Sequence, residues 1–139
     1  MARFRTEGLD ELIDRMTEME LTTGELADEM LFAGAEEVKK AWKKSAEQHR
    51  HRDTGDMINA INYSRQVRKI GDIKEVDIYP QGKDRKGVRN AEKAFILHYG
   101  SSKLQASHWV DYADAIAGPM VEDRLNNIFD DWLKEHGMD

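Results

Sequence analysis

The sequence contains no cysteine and only two prolines among its 139 residues. The lack of cysteine excludes disulfide bonds, thiol catalysis and metal sites built on thiolates. The scarcity of proline favours long helices, because proline interrupts helices more strongly than any other residue. No window approaches the roughly 20 apolar residues of a membrane-spanning helix, and the N-terminal residues lack the apolar run of a signal peptide. We therefore expect neither membrane spanning nor export by the usual route.

Charged residues are abundant, at 35% of the chain against 40% hydrophobic residues, and the formal net charge is -6. A chain of this length fits one folded unit, so we predict a single domain over residues 1–139. The acidic excess argues against a protein whose whole surface grips nucleic acid. Any contact with DNA is therefore expected to be local.

Helical periodicity is strongest in both end regions of the chain. Apolar residues recur at helical spacing over residues 8–19, which predicts a short amphipathic helix with an acidic polar face. Thr22 and Glu25 have the spacing of a capping box, so a second helix is predicted to begin there and to continue to about residue 50. From about Asp111 the chain is predicted to be mostly helical, and its final helix is predicted to have Pro119 in its first turn and Gly137 after its end.

These helices carry apolar stripes that predict their buried faces. The second helix presents Leu31, Gly34, Val38, Ala41, Trp42 and Ser45. The final helix presents Val121, Leu125, Ile128, Phe129, Trp132 and Leu133. Both tryptophans are predicted to belong to the core, since they fall on these stripes.

The middle of the chain changes from helical spacing to alternation. Asp56 is predicted to cap a brief turn that carries Met57 and Ile61. Residues 63–79 alternate around a Gly-Asp turn, which predicts a two-stranded hairpin, and a short helix is predicted to end before Gly100. The fold class is therefore α+β, with a long N-terminal helix, a small antiparallel hairpin or sheet, and a C-terminal helix packed on one face.

A serine hydrolase is the main enzymatic alternative. It would need a serine held against a base that is oriented by a third group. The sequence offers Ser101 or Ser102, His98 or His108, and Asp111 or Asp114. No G-x-S-x-G nucleophile elbow surrounds these serines, and serine after glycine is common in turns. We predict that the protein is not an enzyme and uses no cofactor.

A histidine metal site is also weakly supported. His49 and His51 lie two residues apart and would point to different sides of a helix. His98, His108 and His136 are isolated along the sequence. We predict no metal site.

One basic segment stands out in this acidic chain. Residues 81–90 have the composition of a mobile loop, and four of them are candidate contacts: Lys83, Arg85, Lys86 and Arg89. A solvated loop is one interpretation. Contact with phosphates or with an acidic protein surface is the other.

Two short motifs lie on either side of this segment. The first is Thr54 and Gly55 followed by the apolar residues Met57 and Ile61. The second is an aromatic-glycine-serine-serine turn followed by a small residue, Ala106, and an aromatic residue. The second comprises Tyr99, Gly100, Ser101, Ser102 and Trp109. From the residues alone, Gly100 is expected to take a positive φ and Trp109 to anchor the next segment in the core.

The order of these features resembles the tail-component family of long-tailed bacteriophages, also called neck or tail completion proteins. The resemblance covers nearly the whole chain. The sequence departs from the family pattern at His98, where an acid is frequent, and at Ser107 and His108, where arginine and proline are frequent.

The resemblance implies a virion structural protein of the neck, assembled in the cytoplasm of the bacterial host. It implies a homo-oligomer, with a hexameric ring favoured, that joins a head-connector or stopper protein to the tail tube or its terminator protein. The basic loop would then face a neighbouring ring or, through nonspecific contact, the passing DNA. A tail terminator capping the tube and a small cytoplasmic nucleic-acid-binding regulator remain as alternatives.

Overall fold

Two long helices and a broken hairpin make up the architecture. The computed structural model describes residues 23–71, 73–135 and 137. In chain order the elements are α1 (Thr23–Gln48), α2 (Asp56–Asn59), β1 (Ile61–Tyr63), β2 (Arg68–Ile70), β3 (Ile73–Glu75), β4 (Ile78–Pro80), α3 (Asn90–Tyr99) and α4 (Trp109–Glu135). The predicted α+β class, with its long first helix, small antiparallel sheet and packed C-terminal helix, is confirmed. None of the described helices is long and apolar enough to cross a bilayer.

The core lies between α1 and α4, which pack along each other. All the residues of the predicted α1 stripe are buried. The face of α4 opposite them begins with small side chains, Ala113 and Ala117, which allow close approach, and continues through Val121 and Leu125. Trp132 is half-buried against the same core. Because burial of apolar area is the main stabilising term in folding, this helix pair is the frame that positions everything else.

The hairpin is confirmed, but it is longer than predicted and is interrupted. β1 pairs antiparallel with β4 from Ile61 opposite Pro80, and β2 pairs with β3 down to Ile70 opposite Ile73. Between the two ladders the Ser64 hydroxyl accepts a hydrogen bond from the Asp77 backbone N–H at 3.2 Å. The Ser64 side chain thus takes the place of the backbone partner that this N–H would have in a continuous β-ladder. This explains why the hairpin is interrupted here.

The start of α4 corrects the predicted position of Pro119. The helix already begins at Trp109, so Pro119 lies inside it rather than in its first turn. Proline removes one helical hydrogen bond, to the carbonyl four residues earlier, which is that of Ala115. Both residues are on the exposed side, where the freed carbonyl is accessible to solvent. The buried alanines of the opposite side hold the helix against α1.

The short turn of α2 also differs from prediction. Met57 and Ile58 are its buried residues, whereas Ile61 lies in β1. Gly55 is the N-cap, without a side-chain hydrogen bond, and Asp56 does not cap the turn because its carboxylate binds elsewhere. The predicted helix over residues 8–19 and the capping residue Thr22 lie outside the described residues. The single domain over residues 1–139 stays a prediction.

Candidate functional site

The chain reverses direction at Gly100, at the end of α3. Gly100 has φ 83° and ψ 178°, and its N–H donates to the Ile96 carbonyl at 2.7 Å. A Cβ at this position would lie 2.7 Å from the Ala106 nitrogen and 2.8 Å from the Leu104 carbonyl oxygen. The Ser101 N–H donates to that Leu104 carbonyl at 2.8 Å. Only glycine fits here, because both the backbone angles and the space exclude a side chain.

The reversed segment carries Trp109 into the core. It returns along α3 through a hydrogen bond from the Ser107 N–H to the Leu97 carbonyl at 3.1 Å. Trp109 is fully buried, and its indole N–H donates to the Ala94 carbonyl at 3.2 Å. Its ring meets that of Trp42 edge-on, with centroids 5.5 Å apart. The two tryptophans therefore tie the turn to the α1–α4 frame.

Tyr99 points away from this core, although it belongs to the same motif. It is 61% exposed, and its ring contacts that of Phe95, which is 63% exposed, at a centroid distance of 4.7 Å. Ile96 and Leu104 are also exposed. We call these four residues the α3 patch. Exposed apolar clusters of this kind are typical of protein interaction surfaces, and the sequence pattern does not reveal this one.

The Thr54–Gly55 motif is joined to the basic loop by an ion pair. Gly55 has φ 88°, and the Thr54 hydroxyl accepts a hydrogen bond from the Asp56 N–H at 3.3 Å. The Asp56 carboxylate then accepts three bonds from Arg85: from its backbone N–H at 2.9 Å, from Nε at 2.9 Å and from Nη2 at 2.8 Å. These bonds hold the pKa of Asp56 well below its ordinary range. Two motifs that are distant in sequence therefore form one site.

Asp84 closes the basic loop from within. Its buried carboxylate contacts the Lys93 ammonium and accepts the backbone N–H groups of Val88 at 2.8 Å and Lys86 at 2.9 Å. Lys93, followed by these two backbone bonds, lowers the pKa of Asp84 against the opposing effect of burial. An isolated antiparallel β-bridge between the backbones of Lys83 and Arg89 closes the loop. An internal carboxylate therefore organises this loop, whose composition is typical of a mobile one.

The same contacts reduce the charge that the loop presents. Arg85 is bound to Asp56, and the Lys86 ammonium lies 3.6 Å from the Asp53 carboxylate. Within the described residues, Lys83 and Arg89 form no ion pair. Of the four candidate cations, the loop thus leaves two that are not compensated by a carboxylate of the described residues.

The serines contact histidines, but not in the predicted combinations. His51 Nε2 lies 2.9 Å from the Ser107 hydroxyl, which itself donates to the Leu97 carbonyl at 2.7 Å. Burial, and secondarily the neighbouring His49, lowers the pKa of His51. In the part of the chain that the structure describes, no hydrogen bond joins Ser101 or Ser102 to a histidine. The observed hydroxyl donates to a backbone carbonyl, which is a structural role rather than that of an activated nucleophile.

His98 and His108 are not isolated, contrary to the sequence prediction. His98 Nε2 lies 3.9 Å and His108 Nδ1 3.8 Å from one carboxylate oxygen of Asp111. His49 and His51 also stack, with ring centroids 5.9 Å apart, because α1 ends before them. The reversal at Gly100 brings the first group together, which no sequence spacing indicates.

The hydrogen bonding of His98 disfavours a metal ion in this group. The Val110 N–H donates to His98 Nδ1 at 3.3 Å. Because Nδ1 accepts, the proton of the neutral ring belongs on Nε2, the nitrogen that faces Asp111. A metal ligand needs an unprotonated nitrogen there and normally donates its other N–H. The arrangement suits a contact between the His98 N–H and the Asp111 carboxylate better than a metal ion.

A cavity of about 650 Å³ opens between the end of α1, α2 and α3. Its apolar lining comes from Met57, Ile96, Leu97 and Leu104, and Arg50 contributes a cation. Ile96 lines the cavity and lies one helical turn before Tyr99 on α3, so the cavity borders the α3 patch. Residues from several distant segments form this surface, so the sequence did not reveal it.

Comparison with known proteins gives a family match. The model of the family described as "Bacteriophage HK97-gp10, putative tail-component" matches residues 10–112. This range is more than half of the chain and contains both turn motifs, the basic loop and Trp109. No curated protein and no solved structure is significantly similar.

Proposed function

We propose that this chain, which belongs to the HK97-gp10-like family of bacteriophage tail components, is a non-enzymatic structural protein of the phage neck. A tail component is part of the virion. In the proposed role, copies form a hexameric ring that joins the head connector to the tail tube and so completes the tail. The ring binds a head-connector or stopper protein on one side and the tail tube or its terminator protein on the other.

The exposed α3 patch is the observation that carries the proposal beyond the family. Phe95 and Tyr99 are more than half exposed, yet they stand on a helix that is fixed by the Gly100 turn and by buried Trp109. Large aromatic residues on a rigid support contribute strongly to protein–protein contacts. This combination supports a protein that docks onto other proteins.

The charge of the loop supports a neighbouring ring as its partner, rather than the DNA channel. Among the residues that the structure describes, no carboxylate compensates Lys83 or Arg89, whereas Arg85 and Lys86 are paired. DNA affinity depends on the number of phosphates that cations neutralise, so this loop is a weak phosphate binder. Two cations on an otherwise acidic chain suit a local contact with an acidic protein surface.

Two alternatives lead to different measurements. A tail terminator would cap the tail tube, and particle imaging separates it from a neck protein by position. A nucleic-acid-binding regulator would need a basic surface, whereas Arg85 and Lys86 are already paired with carboxylates. Salt-dependent binding of the purified protein to DNA would favour the regulator.

Complementation of a phage lacking this gene tests the proposal. The double substitution Phe95→Ser and Tyr99→Ser should leave the far-UV circular dichroism spectrum unchanged, because both side chains are exposed. The double variant should fail to join heads to tails, so that lysates contain separate heads and tails. Met120→Ser is the matched control, since Met120 is an apolar residue that is 48% exposed on α4. Normal joining with the double variant would contradict a docking role for the patch.

A further inference from the structure

We infer that the cavity beside the end of α1 binds residues 8–19 of a second copy of this chain. The inference rests on the proposed ring and names the contact that would join its subunits. Each copy would extend its N-terminal segment to the next, so the contact is heterologous. Contacts of this type close into rings when the rotation between copies permits.

The chemistry of residues 8–19 fits an apolar groove with a basic rim. These residues lie outside the described part of the chain, but their sequence has an apolar face at helical spacing, consisting of Leu9, Leu12, Ile13, Met16 and Met19. The remaining positions include four acids, Asp10, Glu11, Asp14 and Glu18, and one base, Arg15. An amphipathic helix of this kind binds by laying its apolar face into a hydrophobic groove.

The cavity supplies the complementary surface. Ile96, Leu97 and Leu104 line it and lead onto the exposed rings of the α3 patch. Arg50 lies on its wall, and Lys103 precedes Leu104. Neither cation forms an ion pair within the described residues. The other charged groups of the lining are each paired within the protein: Arg52 with Glu47, Asp53 with Lys86, Asp56 with Arg85 and Lys93 with Asp84. Apolar side chains and unpaired cations are therefore adjacent, as an acidic amphipathic helix requires.

Distance indicates that the segment comes from another copy. The 26 residues of α1 span about 39 Å at about 1.5 Å per residue, and the cavity follows the far end of that helix. Residues 8–19 as a helix reach about 18 Å, and residues 20–22, fully extended, add about 10 Å. A chain folding back along its own α1 therefore stops about 10 Å short. A neighbouring copy has no such restriction.

The tip of the hairpin is the competing position within the same chain. Ile70 and Ile73 are exposed there, and the Lys74 ammonium lies 3.3 Å from the Gly24 carbonyl, close to the start of α1. This tip offers two apolar side chains to a segment that carries five. Lys74 is already paired with Asp28 at 2.8 Å. The cavity is therefore the better match, and the tip serves as a comparison in the test.

Engineered disulfides can test the contact directly, because the chain has no native cysteine. One purified protein would carry Met16→Cys and a second, tagged protein would carry Leu104→Cys. The two are mixed and oxidised at a series of concentrations, and covalent heterodimers are measured by gel and mass spectrometry. Matched partners carry Met120→Cys, on exposed α4, or Ile73→Cys, at the hairpin tip. A covalent bond accumulates even when the contact is weak or transient.

We expect Met16→Cys to form heterodimers with Leu104→Cys at least tenfold faster than with Met120→Cys or Ile73→Cys. Adding Leu12→Asp and Ile13→Asp to the Met16→Cys protein should abolish the difference without changing the circular dichroism melting curve. Equal rates for all partners would overturn the inference. An intramolecular disulfide in a chain carrying both Met16→Cys and Leu104→Cys would also overturn it, as would one in a chain carrying Met16→Cys and Ile73→Cys.

This experiment uses purified protein, so its result does not depend on the position of the chain in the virion. Suppose that crosslinking is rapid and specific, but a phage that lacks the protein still joins its heads and tails normally. This result would refute the neck function and leave the contact between copies standing. If head–tail joining requires the protein but no specific crosslinking is found, the contact is refuted and the neck function stands.

Discussion

Replacing Gly100 by alanine should destabilise the fold more than the addition of one methyl group suggests. The backbone at φ 83° and ψ 178° lies in a region that is essentially restricted to glycine and costs other residues about 1–3 kcal/mol. The added Cβ would also meet the Ala106 nitrogen at 2.7 Å and the Leu104 oxygen at 2.8 Å. Both are backbone atoms, so relief requires moving the turn, which adds about 1–3 kcal/mol. We expect a total loss of about 2–6 kcal/mol, a large part of the roughly 5–15 kcal/mol that stabilises a typical domain.

Urea denaturation followed by circular dichroism at the helix band measures this loss. Gly24→Ala is the matched control, because Gly24 is helical, has an ordinary φ, and a Cβ there would meet only the flexible end of Lys74 at 3.9 Å. The control should be neutral or stabilising by up to about 1 kcal/mol. If Gly100→Ala loses less than about 1 kcal/mol, the turn is not the rigid element described above.

Three further predictions concern the core, the ion pair and the loop. Trp109→Ala should cost about 3–5 kcal/mol, because the ring is fully buried and its removal leaves a cavity; a loss below about 1 kcal/mol in the same denaturation assay would contradict this. Because the pKa of Asp56 is lowered in the folded protein, its ion pair stabilises the fold at pH values above the ordinary pKa of 3.8. This contribution is lost as the pH falls toward the folded-state pKa. The stability difference between the wild type and Asp56→Asn should therefore shrink below about pH 4, and a pH-independent difference would refute the role of the carboxylate. Replacing Lys83 and Arg89 by serine should change stability by less than about 0.5 kcal/mol but reduce joining in complementation, whereas altered DNA retention with normal joining would indicate contact with DNA, and no effect on either would indicate a solvated loop.

The structure changes one expectation about the loop. From the sequence, replacing all four cations with serine is expected to leave the fold intact. Arg85 supplies all three bonds from the loop to the Asp56 carboxylate, two of which come from its side chain. We therefore expect the fourfold variant to be less stable than the double variant, which makes the double variant the cleaner probe of function.

The helices were predictable because their apolar residues repeat at a fixed spacing. The stripe of α1 is buried as expected, and Gly100 and Trp109 occupy the turn and the core because glycine and tryptophan have strong individual preferences. Pro119 was misplaced because proline usually begins helices. Its position inside α4 depends on exposure and on packing against α1, which local sequence does not contain.

The polar contacts could not be predicted from spacing. Asp56 and Asp84 resemble solvated acids in the sequence, and their roles depend on partners that the fold brings to them. His98 meets Asp111 because the chain reverses at Gly100. The α3 patch was missed because Phe95, Ile96 and Tyr99 follow helical spacing, which normally indicates a buried face, and because Leu104 lies beyond the turn at Gly100.

Electron microscopy of assembled particles tests the neck assignment most directly. The protein is labelled by a small fused domain, and wild-type particles are compared with those of a phage whose gene for this chain is disrupted. We predict label confined to the head–tail junction as a hexameric ring, and separate heads and tails when the protein is missing. Label along the tail tube, or complete and joined particles without the protein, would contradict the assignment.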